Sequence, residues 1–235
     1  MLIKQENISM IKLALLGKSI HHSKSPVIYA ELFNNEVEYT LLDIAKPQSI
    51  PSLDEIFKEQ MGLSITAPYK THFINAVKMD NTVRKIGGIN CIKKEGSQYI
   101  ATNTDYLAAK EIFLRENYNE REVVVLGSGT MAKMFNVLFD ELNIDYVQYS
   151  RKVDGNLNDI NFEQEFNLDK LLIINCCARA FHFNLSLSKN TIFWDMNYKH
   201  SFHESSLTNK LTYIDGSELL YLQAVAAKKF WNFTL

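Results

Sequence analysis

Cysteine is scarce in this chain of 235 residues, with only Cys91, Cys176 and Cys177 present. An odd count, with two adjacent and all three in apolar surroundings, excludes a disulfide framework and a zinc cluster. Buried thiols in a reducing cytoplasm are the expectation, with no metal site. An excess of either charge is also missing: 25 Lys and Arg face 27 Asp and Glu, a formal net charge of −2. That balance gives no general attraction to nucleic acid or to anionic lipid. No apolar run approaches the roughly 20 residues that a membrane span needs. The apolar stretch at 10–16 is short, carries Lys12 and has no small-residue cleavage site after it, so it reads as a buried strand and not as a signal peptide.

What is present is a regular alternation of strand and helix patterns, which predicts an α/β protein of two domains with parallel sheets. In the first part, strands are predicted at 12–16, 38–43, 62–66, 89–93 and 98–101, and helices at 26–34, 50–59 and 69–77, with a short turn at 81–85. All four prolines lie in this part, three of them near the predicted helix starts. A second series opens with a helix at 104–117. It continues through strand 122–126, helix 130–142, strands 145–149, 171–175, 192–195 and 211–214, and helix 217–231. The polar, Asn-rich stretch 151–169 reads as a loop or one short helix. The predicted domains are 1–103, completed by 217–235, and 104–216.

The strongest local signal follows the strand at 122–126. The turn Gly127-Ser128-Gly129-Thr130-Met131-Ala132 has the G-x-G-x-x-A form of a dinucleotide fingerprint and stands between a β-branched strand and a helix. Gly127 permits the tight turn, Gly129 lets a pyrophosphate approach the backbone, and Ala132 allows close helix–strand packing. The helix start then offers N–H groups to phosphates. An NAD site would place Asp or Glu at the end of the next strand, but that end reads Tyr149-Ser150-Arg151-Lys152, with Asp154 further into the loop. Two cations and a hydroxyl favour the 2′-phosphate of NADP. A solvated surface pair is the alternative.

Four further segments carry candidate chemistry. Ser23 and Ser25, at alternate positions before Pro26, could turn two hydroxyls to one ligand, or could simply cap a helix. In Gly62-Leu-Ser64-Ile-Thr66-Ala-Pro68-Tyr-Lys70, Lys70 is expected in the first turn of a helix. A cation there is repelled, which favours the neutral amine and acid–base work; a solvated lysine is the plain alternative. In Asn103-Thr104-Asp105, Asn103 or Thr104 would cap the long helix and Asp105 would be held as a carboxylate, able to pair with Lys70. The last set is Gly87-Gly88-Ile-Asn90-Cys91, Asp195-Met196-Asn-Tyr198 and Gln223, each a polar group among apolar neighbours.

In this order the segments resemble the shikimate dehydrogenase family across almost the whole chain. The serine pair, the segment Ser64 to Lys70, the segment Gly87 to Cys91, the intact triplet Asn103-Thr104-Asp105, Tyr198, and the pattern from Asp215-Gly216 to Gln223-Ala224 match motifs of that family. The family's N-R-T cofactor motif corresponds to Ser150-Arg151-Lys152. The resemblance implies an N-terminal α/β substrate domain and a Rossmann-type NADP domain. It implies a cytoplasmic monomer or homodimer that reversibly reduces 3-dehydroshikimate to shikimate, in the biosynthesis of chorismate and the aromatic amino acids. Lys70 and Asp105 would form the catalytic pair. Ser23, Ser25, Ser64, Thr66, Asn90, Tyr198 and Gln223 would bind substrate. The turn Gly127 to Ala132, Ser150, Arg151, Lys152 and Met196 would bind NADP.

Several positions depart from the family's pattern. Ser64 stands where an asparagine is expected, which bears on substrate identity and keeps a quinate-type, NAD-using relative in view. Tyr106 and Glu218 replace glycines and are expected to crowd the cleft, and the loop Asn175 to Phe181 has lost its glycine. A non-catalytic nucleotide-binding relative is a further alternative, though it would have no need of an acid–base pair.

Overall fold

The computed structural model describes residues 10–233, which divide into two compact units, one running up to Thr104 and resuming at Ala224, the other Asp105–Gln223. The first unit is a five-stranded sheet. Its elements are β1 (Ile11–Gly17), α1 (Ser25–Leu32), β2 (Val37–Asp43), α2 (Leu53–Glu59), β3 (Gly62–Ile65), α3 (Asn81–Ile86), β4 (Cys91–Glu95) and β5 (Gln98–Thr102). Strand order is β2-β1-β3-β4-β5. β2, β1 and β3 run parallel, while β4 and β5 add an antiparallel hairpin, so this sheet is mixed and not purely parallel. Gly96, at φ 59°, turns the hairpin within two residues, too short a link for a parallel crossover.

β1 is apolar on both faces, as a central strand must be. Ala14 and Leu16 join Leu53 and Ile56 of α2 on one side, and Ile11 and Leu13 join Tyr29, Phe33, Ala227 and Trp231 on the other. Gly62 makes room for that second layer, because a Cβ there would stand 2.7 Å from the Trp231 ring. The indole N–H donates to the Ile92 carbonyl at 3.0 Å.

The second unit runs α4 (Thr104–Arg115), β6 (Glu122–Leu126), α5 (Thr130–Leu142), β7 (Tyr146–Tyr149), α6 (Arg151–Asp154), α7 (Phe162–Glu165), β8 (Leu171–Asn175), β9 (Ile192–Asp195), α8 (Ser201–Leu207), β10 (Thr212–Ile214) and α9 (Ser217–Trp231). The last helix crosses into the residues of the first unit. The sheet is parallel throughout, in the order β10-β9-β8-β6-β7. The buried side of α5 is Ala132, Phe135, Leu138 and Phe139, at helical spacing.

Three expectations need correction. Residues 69–77 form no helix; they make successive tight turns with bonds from His72 to Tyr69, Ile74 to Thr71 and Ala76 to Phe73. Tyr, Thr, His, Phe, Ile, Asn and Val are weak helix formers, and core anchoring of Tyr69 and Phe73 holds the segment instead. The short turn at 81–85 is the helix α3, begun by Asp80 accepting from the Val83 N–H at 2.7 Å and ended by Gly87 at φ 68°. The stretch 151–169 contains α6, α7 and a 3-10 turn at Leu157–Asp159 between them, and α8 was not legible at all.

Candidate active site

In the first unit the candidate residues gather where β1 and β3 end. The Ser25 N–H donates to the Ser23 hydroxyl at 3.2 Å, and α1 begins at Ser25 with Pro26 in its first turn and no acidic residue there. Ser64 lies on β3, in register with Leu15 of β1 and Cys91 of β4, and is buried. Thr66 continues from β3, its N–H donating to the Leu16 carbonyl at 2.9 Å; its methyl group lies where a Cβ on Gly17 would fall, 2.6 Å away. Lys70 is half-buried, and its carbonyl accepts from the Ile89 N–H at 2.8 Å. Since no helix begins there, the helix-start repulsion inferred for its ammonium is absent. The backbone bond to Ile89 fixes Lys70 beside the Gly87–Asn90 segment instead.

That segment is tied to the triplet at 103–105. The Asn90 side-chain oxygen accepts from the Thr104 N–H at 2.6 Å, and its amide donates to the Thr104 hydroxyl at 3.0 Å. Asn103 donates to the Gly88 carbonyl at 2.9 Å. Asn90 therefore serves an N–H at the start of α4, a role that its apolar surroundings in the sequence did not suggest. Asp105, half-buried, occupies the first turn of α4.

In the second unit, Gly127 has φ 111°, a region that a side chain strains, and a Cβ there would meet the Cys176 backbone at 3.1 Å. Gly129 caps α5 and faces open space where a Cβ would be. The first turn of α5 holds no acidic side chain. This turn fits a dinucleotide pyrophosphate, with bare backbone N–H groups at a positive helix end. At the end of β7, Arg151 and Lys152 are exposed and Ser150 precedes α6. Asp154, read as distant, folds back to accept from the Ser150 N–H at 2.7 Å, which engages its carboxylate within the turn. Met196 donates its N–H to the Asn175 carbonyl at 3.0 Å, and the Tyr198 carbonyl accepts from Arg179. Gln223 donates to Leu220 one turn back in α9.

The two bulky replacements both have side-chain partners. Tyr106 is buried, with its hydroxyl bonded to Glu141 on α5, and Glu218 pairs with Arg115 at 2.8 Å. Each is held by partners within its own unit.

Sequence reasoning missed a buried network behind the Met196–Tyr198 loop. The Asp195 carboxylate and the His203 ring are fully buried and 2.6 Å apart. His203 Nε2 accepts the Phe183 N–H at 2.9 Å, so Nδ1 carries the proton and donates it to Asp195. Asp195 also accepts from the Asn175 amide and from both the N–H and the amide of Asn197. Burial alone would push Asp195 up; the bonds from His203 and Asn197 overcome it and hold the carboxyl below its ordinary value. His200 stacks on His203 at 4.0 Å and caps α8. The spacing His200-x-x-His203 was the available signal. Among the described residues, no His, Cys, Asp and Glu group could hold a metal ion, and no helix is long and apolar enough to cross a membrane.

The chain is similar to known proteins in sequence and in fold. Residues 15–92 match the shikimate dehydrogenase substrate binding domain. The NADP(+) shikimate dehydrogenase of Caldicellulosiruptor saccharolyticus is 32% identical over 134 residues, 53% of this chain but only 48% of that protein. The one from Clostridium botulinum is 25% identical over 250 residues, covering 94% of this chain and 96% of that one. The crystal structure of shikimate 5-dehydrogenase from Thermus thermophilus in complex with NADP(H) and shikimate superposes with a TM-score of 0.73 at 20% identity, over 96% of this chain and 95% of that one. The fold is thus a two-domain α/β architecture with a Rossmann-type second unit. Within that class, the chain is similar to shikimate dehydrogenases, in sequence over its first unit and in fold over nearly its whole length.

Proposed function

We propose that the protein is an NADP-dependent shikimate dehydrogenase, interconverting 3-dehydroshikimate and shikimate for chorismate and aromatic amino acid biosynthesis in the cytoplasm, as a monomer or homodimer. The observation that carries this reading is the match over residues 15–92, which contains Ser23, Ser25, Ser64, Thr66, Lys70 and Asn90. The names of the full-length relatives support NADP, as do the bare Gly127–Gly129 turn and the two exposed cations after β7.

In this reading the first unit holds the substrate and the second holds NADP. The backbone N–H groups at the start of α5 would hold the pyrophosphate, Arg151 with Ser150 and Lys152 would hold the 2′-phosphate, and Met196 would serve the nicotinamide end. NADP, when bound, supplies the hydride chemistry at the ring carbon. Lys70 gives a proton to the ketone oxygen in reduction and takes it from the hydroxyl in oxidation, with Asp105 as the other member of the acid–base pair. Ser23, Ser25, Ser64, Thr66, Asn90, Tyr198 and Gln223 orient the ring through its carboxylate and hydroxyls.

Lys70→Ala tests the assignment. With shikimate and NADP+ its turnover should fall by about 100-fold or more against the wild type, while NADP+ affinity stays nearly unchanged. Normal turnover would remove Lys70 from the chemistry.

A further inference from the structure

Gln148, on β7, belongs to none of the segments that carry the family resemblance. We propose that it is a positioning residue of the cofactor site: its side-chain amide holds the Gly127 carbonyl and so aims the Ser128 N–H at the pyrophosphate, with Asn136 of α5 setting which way round that amide stands. The inference rests on the NADP reading given above.

The three residues form a chain of hydrogen bonds. Gln148 Nε2 donates to the Gly127 carbonyl at 2.7 Å. The Asn136 amide donates to Gln148 Oε1 at 2.9 Å. The Gly127 N–H donates to the Tyr149 carbonyl at 2.8 Å, so both backbone groups of this glycine are held from β7. The Cys176 backbone closes another side, 3.1 Å from where a Cβ on Gly127 would lie.

A peptide bond is planar, and in the trans form its C=O and N–H point in opposite directions. The Gly127–Ser128 bond is trans. With its carbonyl turned to Gln148, the N–H of Ser128 faces away from that amide. Ser128 and Gly129 are exposed, and nothing stands where a Cβ on Gly129 would be. The Ser128 N–H is thus one of the bare donors that the turn offers to a phosphate beside the start of α5. A peptide turned the other way would present its carbonyl there, and a carbonyl repels the anion that an N–H attracts.

A primary amide can show a carbonyl either its oxygen or its NH2, and only the NH2 bonds to it. Asn136 decides between them by giving Gln148 Oε1 a donor. This pair is a poor device for packing α5 on β7. The Asn136 side-chain oxygen is covered and has no hydrogen-bond partner among the described residues. Two apolar side chains of similar shape would hold helix to strand at least as well, without an orphaned acceptor. What the polar pair adds is its grip on the Gly127 carbonyl.

Gln148→Met tests this, because it keeps the length of the side chain and removes the donor. By titration calorimetry the Kd for NADP+ should rise about 10-fold. The Kd for adenosine 2′-monophosphate, which carries the 2′-phosphate but no pyrophosphate, should stay within about twofold. Without ligand, the melting temperature should hold or rise. Asn136→Leu leaves the Gln148 amide in place but unoriented, so its Kd for NADP+ should rise about threefold with the monophosphate again unaffected; this variant decides alone if Gln148→Met does not fold. An NADP+ Kd within about twofold of wild type overturns the proposal. Equal weakening of both ligands overturns it too, since that marks general damage to the unit. A wild type that binds neither ligand overturns the cofactor reading itself, which keeps the two failures distinct.

Discussion

In the second unit the Asp195 carboxylate, buried at the end of β9, accepts hydrogen bonds from His203, Asn175 and Asn197. In the first unit the Tyr39 hydroxyl is equally covered, with only the Ser64 and Ser25 hydroxyls near it and none of the described residues at full hydrogen-bond geometry. Both sit on sheets among apolar neighbours, so burial alone does not separate them. Partnership does. Asp195 connects three stretches of chain, the ends of β8 and β9 and the helix α8, and thereby fixes the Met196–Tyr198 loop. Its bonding capacity is used within the protein and serves the fold. The Tyr39 oxygen ties no distant stretches of chain together in this way.

This contrast can be broken at either end. Asp195→Ala should show the largest effect, a loss of roughly 3 kcal/mol in denaturant unfolding, because His203 and two asparagines are left with buried unpaired donors. A loss under about 1 kcal/mol would erase the distinction. Acid offers a milder probe of the same group. The folded carboxyl titrates below its ordinary value, so its contribution is complete above the unfolded value near about 4 and is lost as pH falls through the lower folded value. Wild type should therefore lose stability below about pH 4 more steeply than Asp195→Asn, measured by melting across that range. The smallest effect should come from Glu218→Gly, which restores a family glycine at an exposed ion pair with Arg115. Its KM for shikimate should stay within about twofold of wild type; a larger drop would show that Glu218 does obstruct substrate.

The sequence made the parallel second sheet plain, since β6, β8 and β9 are short apolar runs and α5 has its apolar residues at helical spacing. The glycine turn was readable for the same local reason. Long-range pairing was not. That Asn90 serves Thr104, that Asp154 returns to Ser150, and that Tyr106 turns to Glu141 are all facts of folding back, with no local signature. Residues 69–77 were misread because apolar spacing outweighed weak helix propensity. α8 escaped because Ser, Glu and His dominate it and its cap is a histidine. Tyr39 was hidden most completely. A tyrosine in a strand reads as an ordinary β former, and only the assembled sheet shows its hydroxyl covered with none of the described residues at full hydrogen-bond geometry.

The most direct measurement is a comparison of kcat/KM for the purified wild type with shikimate and with quinate, each with NADP+ and with NAD+, followed by nicotinamide absorbance. Shikimate with NADP+ should give the highest value of the four. Turnover confined to quinate with NAD+ would contradict both the substrate and the cofactor.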